Sequence, residues 1–252
     1  MISSSSPTIE RKAYPWGRAY IVKGVSEAPL ILPSVTTVLK LVVVQKYIDM
    51  REELGEEKYQ KVLEDAAFRG TIMHNMLEIF ILEWARSKNI DRALKKAQIY
   101  AIDESRKEDG KYAKLVEKGR KLFFNFYHDK FWERISEVVE NEIFLYTIFK
   151  GGWAGASDFV YRDLEGNLIV EDFKSAAFAK TEEEIRAYYL QIAAYMFMCG
   201  EKYNEIPKKG IIRIANENDD ELQTFIVHDY ELKHHLSQFI ELVQEFRKIN
   251  NL

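Results

Sequence analysis

The sequence predicts an α/β protein, in which a mixed β-sheet is flanked by helices and the N-terminal half adds a helical elaboration. Three observations predict it. The chain has 252 residues, 47% of them hydrophobic, which suits one domain with a substantial core. Good strand formers flank a glycine-containing loop between residues 158 and 174, as in a β-hairpin. Apolar residues recur at helical spacing over 66–86.

We expect a single domain spanning residues 1–252, in three parts. Residues 1–135 form the mostly helical part, 136–230 the sheet core, and 231–252 a closing helix.

The N-terminal segment is expected to begin with a loose polar arm over residues 1–10. Aromatic and β-branched residues among turn formers then predict short strands over 11–31. A helix is predicted from Val38 to Met50. Ser34 is its expected N-cap, because a serine hydroxyl accepts a hydrogen bond from a free N–H of the first turn.

A series of helices is predicted next. Residues 51–65 are highly charged, with a turn near Gly55, and residues 66–86 carry the apolar stripe. A polar helix is expected over 90–106. Residues 107–132 place lysines next to aromatic side chains, a combination that binds single-stranded nucleic acid in some proteins. For the aromatics we favour the simpler interpretation, the core-facing side of an amphipathic helix.

The C-terminal half alternates strands and helices. Thr181 and Glu184 form a capping-box pattern that predicts a helix start, and this helix is expected to run to Cys199. The other elements predicted there are strands over 138–149, 210–214 and 222–227 and a closing helix over 230–248.

The hairpin determines which side chains meet. If residues 164–166 form a three-residue loop ending in glycine, each pair of facing residues has numbers that sum to 330. Asp158 then lies opposite Asp172. Side chains alternate along a strand, so Asp172 and Lys174 point to one face and Glu171 points to the other. The hairpin therefore brings two carboxylates and one ammonium together.

This group suits metal-assisted hydrolysis of a phosphodiester. Two close carboxylates repel each other and stay ionised together only next to a cation. Hard cations such as Mg²⁺ prefer oxygen ligands, and a bound ion can polarise a phosphoryl oxygen. Lys174, on the same face as Asp172, can position the attacking water or stabilise charge in the transition state.

The motifs around these residues resemble the PD-(D/E)XK nuclease superfamily. They look like its RecB-type branch, and the segment at 33–37 is similar to the phage and mitochondrial genome-maintenance exonucleases within it. The resemblance covers roughly residues 30–215. It rests on four motifs in order, Pro33-Ser34-Val35-Thr36-Thr37, Arg69-Gly70-Thr71-x-x-His74-x-x-x-Glu78, Gly155-x-x-Asp158 followed by Asp172-x-Lys174, and Gln191-x-x-x-Tyr195.

The resemblance implies a restriction-endonuclease-like core and a set of metal ligands. His74, Asp158 and Asp172 would bind the ion through their side chains, and Phe173 through its carbonyl. An imidazole ligand tends to favour Mn²⁺ over Mg²⁺. Glu78 is a further candidate, as a residue that orients His74 or a bound water, and so is Glu142 on the preceding strand.

The resemblance also implies further contacts. Gln191 and Tyr195 would support Lys174 and the substrate backbone from the helix that follows the hairpin. The predicted DNA-binding residues are Ser34, Thr36, Arg69, Tyr188, Gln191 and Tyr195.

The predicted activity is a Mg²⁺- or Mn²⁺-dependent deoxyribonuclease, specifically an exonuclease on single-stranded DNA ends, in DNA repair, recombination or replication. Three alternatives stay open. A structure-specific endonuclease would cut circular strands, and a non-catalytic DNA-binding subunit would cut none. RNA is the weakest alternative, since no feature of the sequence reads a 2′-hydroxyl.

Composition excludes some classes and leaves others open. The net charge of −4 argues against a protein that coats nucleic acid non-specifically. A single cysteine, Cys199, excludes an internal disulfide and a four-cysteine iron–sulfur cluster; we expect a small buried residue there. We expect an intracellular, cytoplasmic protein (host cytoplasm if it is viral) with no membrane partner. The sequence does not predict an oligomeric state.

Overall fold

The computed structural model describes residues 7–252, and these residues form eight β-strands. The strands are β1 (Thr8–Tyr14), β2 (Gly17–Lys23), β3 (Leu30–Pro33), β4 (Ile135–Thr147), β5 (Trp153–Asp163), β6 (Leu168–Ala176), β7 (Lys209–Asn216) and β8 (Gln223–His228). The first six residues of the predicted loose arm lie outside the described part of the chain. The prediction is wrong for residues 8–10, which belong to β1.

The described part of the chain also contains seven α-helices and three short 3-10 helices, and none of these helices has the length and apolarity to cross a membrane. The α-helices are α1 (Val35–Val38), α2 (Lys40–Leu54), α3 (Glu56–Ser87), α4 (Ile90–Arg106), α5 (Ala113–Asp129), α6 (Arg186–Tyr203) and α7 (Leu232–Asn250).

The strands form two sheets. Strands β1, β2 and β3 make a small antiparallel sheet. The larger sheet has the order β4-β5-β6-β7-β8, in which only the β6–β7 pair is parallel. A parallel neighbour cannot be reached by a tight turn, and α6 makes the crossover between β6 and β7. The predicted mixed sheet flanked by helices is confirmed.

The hairpin of β5 and β6 has the predicted register. Its ladder runs from Arg162–Leu168 to Phe159–Glu171, so that the paired numbers sum to 330. At the turn, the Asp163 N–H donates to the Asn167 carbonyl at 3.0 Å. Gly166 closes the loop with a φ of +83°, a left-handed conformation that glycine adopts without steric cost.

Each face of the larger sheet is covered by its own hydrophobic core. Val160, Val170 and Ile212 pack towards α1, α6 and α7. Phe159 and Phe173 pack on the opposite face, towards α3, α4 and α5. Asp172 has the same strand parity as Val170, so the sheet orients its carboxylate to the α6 side, where Gln191 contacts it.

The aromatic residues near α5 belong to the core of the α3 side, as we favoured. Phe123, Phe126 and Phe131 are almost completely buried, and their rings make edge-to-face contacts with Phe80 or Phe173. These rings therefore do not form a groove. Cys199 is also fully buried, in the last turns of α6.

Several helix boundaries differ from the prediction. The helical run begins at Val35, directly after Ser34, and breaks at Leu39 before α2 continues to Leu54. The charged segment after Gly55 and the segment carrying His74 form one helix, α3. The capping-box hydrogen bonds form, from Thr181 N to Glu184 Oε2 and from Glu184 N to Thr181 Oγ1. They close a turn, however, and α6 starts only at Arg186.

Candidate active site

The two aspartates of the hairpin lie at the end of the β5–β6 ladder. The ladder ends with the pair Phe159–Glu171, and the same register places Asp158 opposite Asp172. Asp158 Oδ2 accepts a hydrogen bond of 2.6 Å from the Phe173 N–H. The carboxylate thus takes the place that a strand carbonyl would have in the ladder, and it is held against β6.

Lys174 extends back to the carboxylate of its own strand. Its Nζ forms an ion pair with Asp172 Oδ2, and it also lies 5.5 Å from the centre of the Tyr188 ring. The side chains of Asp172 and Lys174 are 4% and 20% exposed. An ammonium held by a carboxylate and an aromatic face has a fixed position next to both aspartates.

His74 reaches the hairpin from α3. Its Nδ1 lies 3.5 Å from Asp158 Oδ1, on the opposite oxygen from the one that Phe173 binds. Burial, followed by the positive charge of Lys174, lowers the pKa of His74 to about 4. The imidazole is therefore neutral at pH 7, the state in which it can ligate a metal.

Burial also controls the charges of the two aspartates. It raises the pKa of Asp158 and that of Asp172 to about 6, although the charge of Lys174 lowers both. Burial alone would lower the pKa of Lys174, but the nearby carboxylates outweigh it and raise that pKa above its ordinary value. At neutral pH the site holds two carboxylates in a desolvated setting with one ammonium. These three groups have a net negative charge, which a further cation would offset.

Gln191 and Tyr195 approach from α6. Gln191 Nε2 lies 3.3 Å from Asp172 Oδ1 and 3.0 Å from the Tyr195 hydroxyl, and both side chains are almost fully buried. The resemblance assigned this pair to Lys174, but in the structure Gln191 orients Asp172 instead. Lys174 contacts the other oxygen of Asp172 and the ring of Tyr188, which is one turn earlier on α6.

Gly155 lets α6 come this close to β5. A methyl carbon at Gly155 would lie 2.7 Å from Tyr195 Cε1 and 3.3 Å from Val35 Cγ2. Any larger residue would displace the tyrosine ring from β5. The glycine of the Gly155-x-x-Asp158 motif thus has a packing reason.

Comparisons with known proteins show which family the chain belongs to. A family model described as the PD-(D/E)XK nuclease superfamily matches residues 47–251, most of the chain. This chain belongs to the PD-(D/E)XK nuclease superfamily. The superfamily predicted from the motifs is confirmed, whereas the RecB-type branch and the likeness to phage and mitochondrial exonucleases stay predictions. Members of this superfamily generally use divalent metal ions such as Mg²⁺.

Two solved structures are distantly similar. A protein from Eubacterium rectale described as a "putative exonuclease" has 10% identity and a TM-score of 0.49, over 73% of this chain and 68% of that one. SSO0001 has 16% identity and a TM-score of 0.33, over 44% of this chain and 50% of that one. Both likenesses are too weak to carry an argument about activity. No curated protein matches the chain.

The donor atoms fit the divalent ion that PD-(D/E)XK nucleases use. Carboxylate oxygens of Asp158 and Asp172 and an imidazole nitrogen of His74 are neighbours. The Phe173 N–H points at Asp158, and the N–H and C=O of one strand residue lie on the same edge, so the Phe173 carbonyl lies on that side too. No group of three or more His, Cys, Asp and Glu side chains within residues 7–252 is already arranged around a common point. The ligand set therefore stays a prediction.

Two further acidic residues face this site. Glu142 falls between the pairs Asn141–Phe159 and Ile143–Ser157, which places it across from Asp158. It is exposed and has a φ of +52°, which is unusual for a residue other than glycine. Glu78 lies one turn after His74 on α3; burial, followed by the charge of Glu142, raises its pKa. Neither carboxylate has a hydrogen-bond partner among the described residues.

The remaining predicted DNA-binding residues lie on two sides of the site. Ser34 forms a bridge with Ala154 on β5 but is only 1% exposed, while Thr36 is partly exposed. Arg69, on α3, forms an ion pair of 2.7 Å with Glu217. The structure thus buries Ser34 and neutralises Arg69 within the protein.

Sequence reasoning missed a charged cluster on the opposite face of β6. Arg213 forms ion pairs with Glu171 and with Asp129, and the Tyr161 hydroxyl donates to Glu171 Oε2 at 3.0 Å. The side chain of Arg213 is itself buried, so it does not line a groove. The alternation of side chains along β6 could have indicated this cluster. Glu171 faces away from Asp172 into an otherwise apolar layer, where a carboxylate needs a partner.

Proposed function

We propose that this protein is a metal-dependent deoxyribonuclease that removes nucleotides from single-stranded DNA ends. One observation carries the proposal: in a PD-(D/E)XK chain, Asp158, Asp172, Lys174 and His74 meet at the end of one hairpin. A largely buried pair of carboxylates with raised pKa values is costly for folding alone and suits a site built for a cation.

His74, Asp158, Asp172 and the Phe173 carbonyl would hold Mg²⁺ or Mn²⁺. When bound there, such an ion supplies Lewis-acid stabilisation of the negative charge on the phosphoryl oxygens. The protein contributes a pre-arranged set of donors. Phe173 fixes one oxygen of Asp158 and Gln191 fixes one of Asp172, so that both carboxylates are oriented before the ion arrives.

Lys174 acts as a cationic hydrogen-bond donor. Because its pKa is raised, its side chain stays protonated at neutral pH and does not serve as a general base. Its ammonium can donate a hydrogen bond to the oxygen of the attacking water and so hold that water in place. It can also donate to the oxygen on which negative charge develops. The Tyr188 ring on its other side limits the positions that the ammonium can adopt.

Single-stranded DNA as the substrate rests on the resemblance of residues 33–37 and on the position of that segment. Ser34 pairs with Ala154 at the start of β5, and Val35 contacts Gly155 next to Tyr195. A strand that enters the site from this side would pass Thr36 and Tyr188. DNA repair, recombination or replication is the proposed setting.

The test compares linear and circular single-stranded DNA of the same sequence, with Mg²⁺, Mn²⁺ or EDTA. We expect loss of the linear strand only, with either metal and not with EDTA. A matched control is Lys95→Ala, an exposed lysine on α4, which should cut like the wild type. Cutting of the circle would replace the exonuclease by an endonuclease. Binding of both strands without cleavage would indicate a non-catalytic subunit.

A further inference from the structure

Arg18 is fixed to the segment that carries Ser34 and Thr36. It lies at the start of β2, where its N–H donates to Thr37 Oγ1 at 3.0 Å and its carbonyl accepts from the Thr37 hydroxyl at 2.9 Å. The Ser34 N–H also donates to the Arg18 carbonyl, at 3.0 Å. The backbone of Arg18 therefore has one position relative to α1.

Two hydroxyl groups hold the guanidinium of Arg18. Its Nη2 donates to Thr36 Oγ1 and its Nε to Ser34 Oγ at 3.5 Å. Within residues 7–252 no carboxylate forms an ion pair with it, whereas the enclosed arginines Arg69 and Arg213 pair with Glu217 and Glu171. The other guanidinium N–H groups of Arg18 have no acceptor in this part of the chain. Such a planar cation, held on one side and free on the other, matches a phosphate group.

The hydroxyl of Ser34 has no capacity left for a ligand. It donates to Thr37 Oγ1 at 2.8 Å and accepts from the Thr37 N–H at 3.1 Å, in addition to its contact with Arg18. Its side chain is 1% exposed. A serine in this position can orient a neighbour but cannot reach a substrate.

Arg18 lies beside the candidate active site. Ser34 bridges to Ala154, and Val35 and Tyr195 both pack against the neighbouring Gly155. Tyr195 in turn accepts the hydrogen bond of Gln191, which orients Asp172. The guanidinium is thus connected to the carboxylates through one short helix and one strand residue.

We propose that Arg18 binds a phosphodiester of the substrate strand away from the bond that is cut, and that Ser34 and Thr36 are positioning residues for this arginine. This inference rests on the proposed function, since it assigns a subsite to the same strand. In this proposal Arg18, which lies outside the four motifs, contacts the DNA directly, and Ser34 does not.

The first test is fluorescence anisotropy of a labelled single-stranded DNA oligonucleotide in EDTA, as a function of salt. Arg18→Gln should weaken binding roughly tenfold and lower the slope of log K against log salt by about 0.7, the value for one phosphate contact on a single strand. Arg18→Lys should keep most of the slope and lose part of the affinity. Arg11→Gln, an exposed arginine on β1, should behave like the wild type.

The second test locates the contact. One phosphate at a time is replaced by a neutral methylphosphonate along the oligonucleotide. Binding of the wild type should weaken most at one position. At that position the replacement should not weaken the binding of Arg18→Gln any further. Thermal unfolding of both Arg18 variants serves as the folding control. If wild type binds and cuts the strand while Arg18→Gln has the same affinity and salt slope, this inference is overturned and the proposed function stands. If wild type neither binds nor cuts, both are wrong.

Discussion

The backbone N–H of Phe173 donates to Asp158 Oδ2 at 2.6 Å, across the end of the β5–β6 hairpin. A side-chain oxygen thus continues the hydrogen bonding of the sheet by one position. The consequence is that Asp158 cannot rotate freely, and its second oxygen is directed to His74, 3.5 Å away. The sheet itself therefore prepares the candidate metal site, and this arrangement leads to the predictions below.

Replacing Asp158 by asparagine should stabilise the metal-free protein. Burial raises the pKa of this carboxyl to about 6, so at pH 7.5 the folded state holds a carboxylate in a setting that disfavours its charge. Asparagine removes the charge and can still accept the hydrogen bond of Phe173. We expect a gain of about 1–3 kcal/mol in the free energy of unfolding, measured in EDTA by denaturant titration.

The same variant should lose cleavage and the thermal stabilisation that Mn²⁺ gives the wild type. Asp103→Asn, an exposed aspartate on α4, is the control and should change neither stability nor metal response. A variant that is destabilised in EDTA, or one that still responds to Mn²⁺, would contradict the assignment of Asp158.

Metal binding should weaken as the pH falls below about 6. Both aspartates have pKa values raised to about 6, so protons occupy them below that pH and compete with the ion. The stability of the metal-free protein depends on pH in the opposite direction. Since the folded pKa values exceed the unfolded ones, this pair contributes stability at low pH that is lost as the pH rises through about 6.

Titrations of Mn²⁺ by calorimetry at pH 5.5, 6.5 and 7.5 measure the first effect. The affinity should fall with each step towards pH 5.5. Denaturant titrations in EDTA measure the second, where the advantage of Asp158→Asn over wild type should shrink as the pH is lowered. An affinity independent of pH over this range would mean that these carboxylates do not bind the ion.

Gly155→Ala should destabilise the protein and reduce activity together. The added methyl would lie 2.7 Å from the Tyr195 ring, so either β5 or α6 must shift, at a cost of about 1–3 kcal/mol. Gly200→Ala is a matched control on α6, where the nearest atom would be 3.7 Å away and alanine favours the helix. The measurement is thermal unfolding of both variants. If both lose the same stability, or if neither loses any, the contact at Gly155 is not tight.

Local patterns predicted much of this molecule. The register of the hairpin follows from the length of one loop with Gly166 at its end, and this register alone places Asp158 opposite Asp172. Helix α4 matches its predicted bounds, and the structure shows Asn89 capping its first turn. The superfamily likewise follows from the order and spacing of short motifs.

Contacts between distant segments could not be predicted in this way. The motifs suggested that Gln191 supports Lys174, but the rotation of α6 against β6 directs Gln191 to Asp172 and Tyr188 to Lys174. The partners of Arg18 and Arg213 lie 16 and more residues away and depend on how sheets and helices pack. The true start of α6 was missed because the Thr181 capping box closes a separate turn.

The central claim is that Lys174 and the aspartates beside it cut DNA, and Lys174→Ala tests it most directly. The measurement is single-turnover cleavage of a linear single-stranded DNA with Mg²⁺ or Mn²⁺, together with the affinity for the same strand in EDTA. We predict a rate reduced by about 10²–10³-fold, since one charged donor to the transition state is lost, with affinity for the strand changed much less. Cleavage at the wild-type rate would contradict the account, because no other lysine within residues 7–252 forms an ion pair with either aspartate.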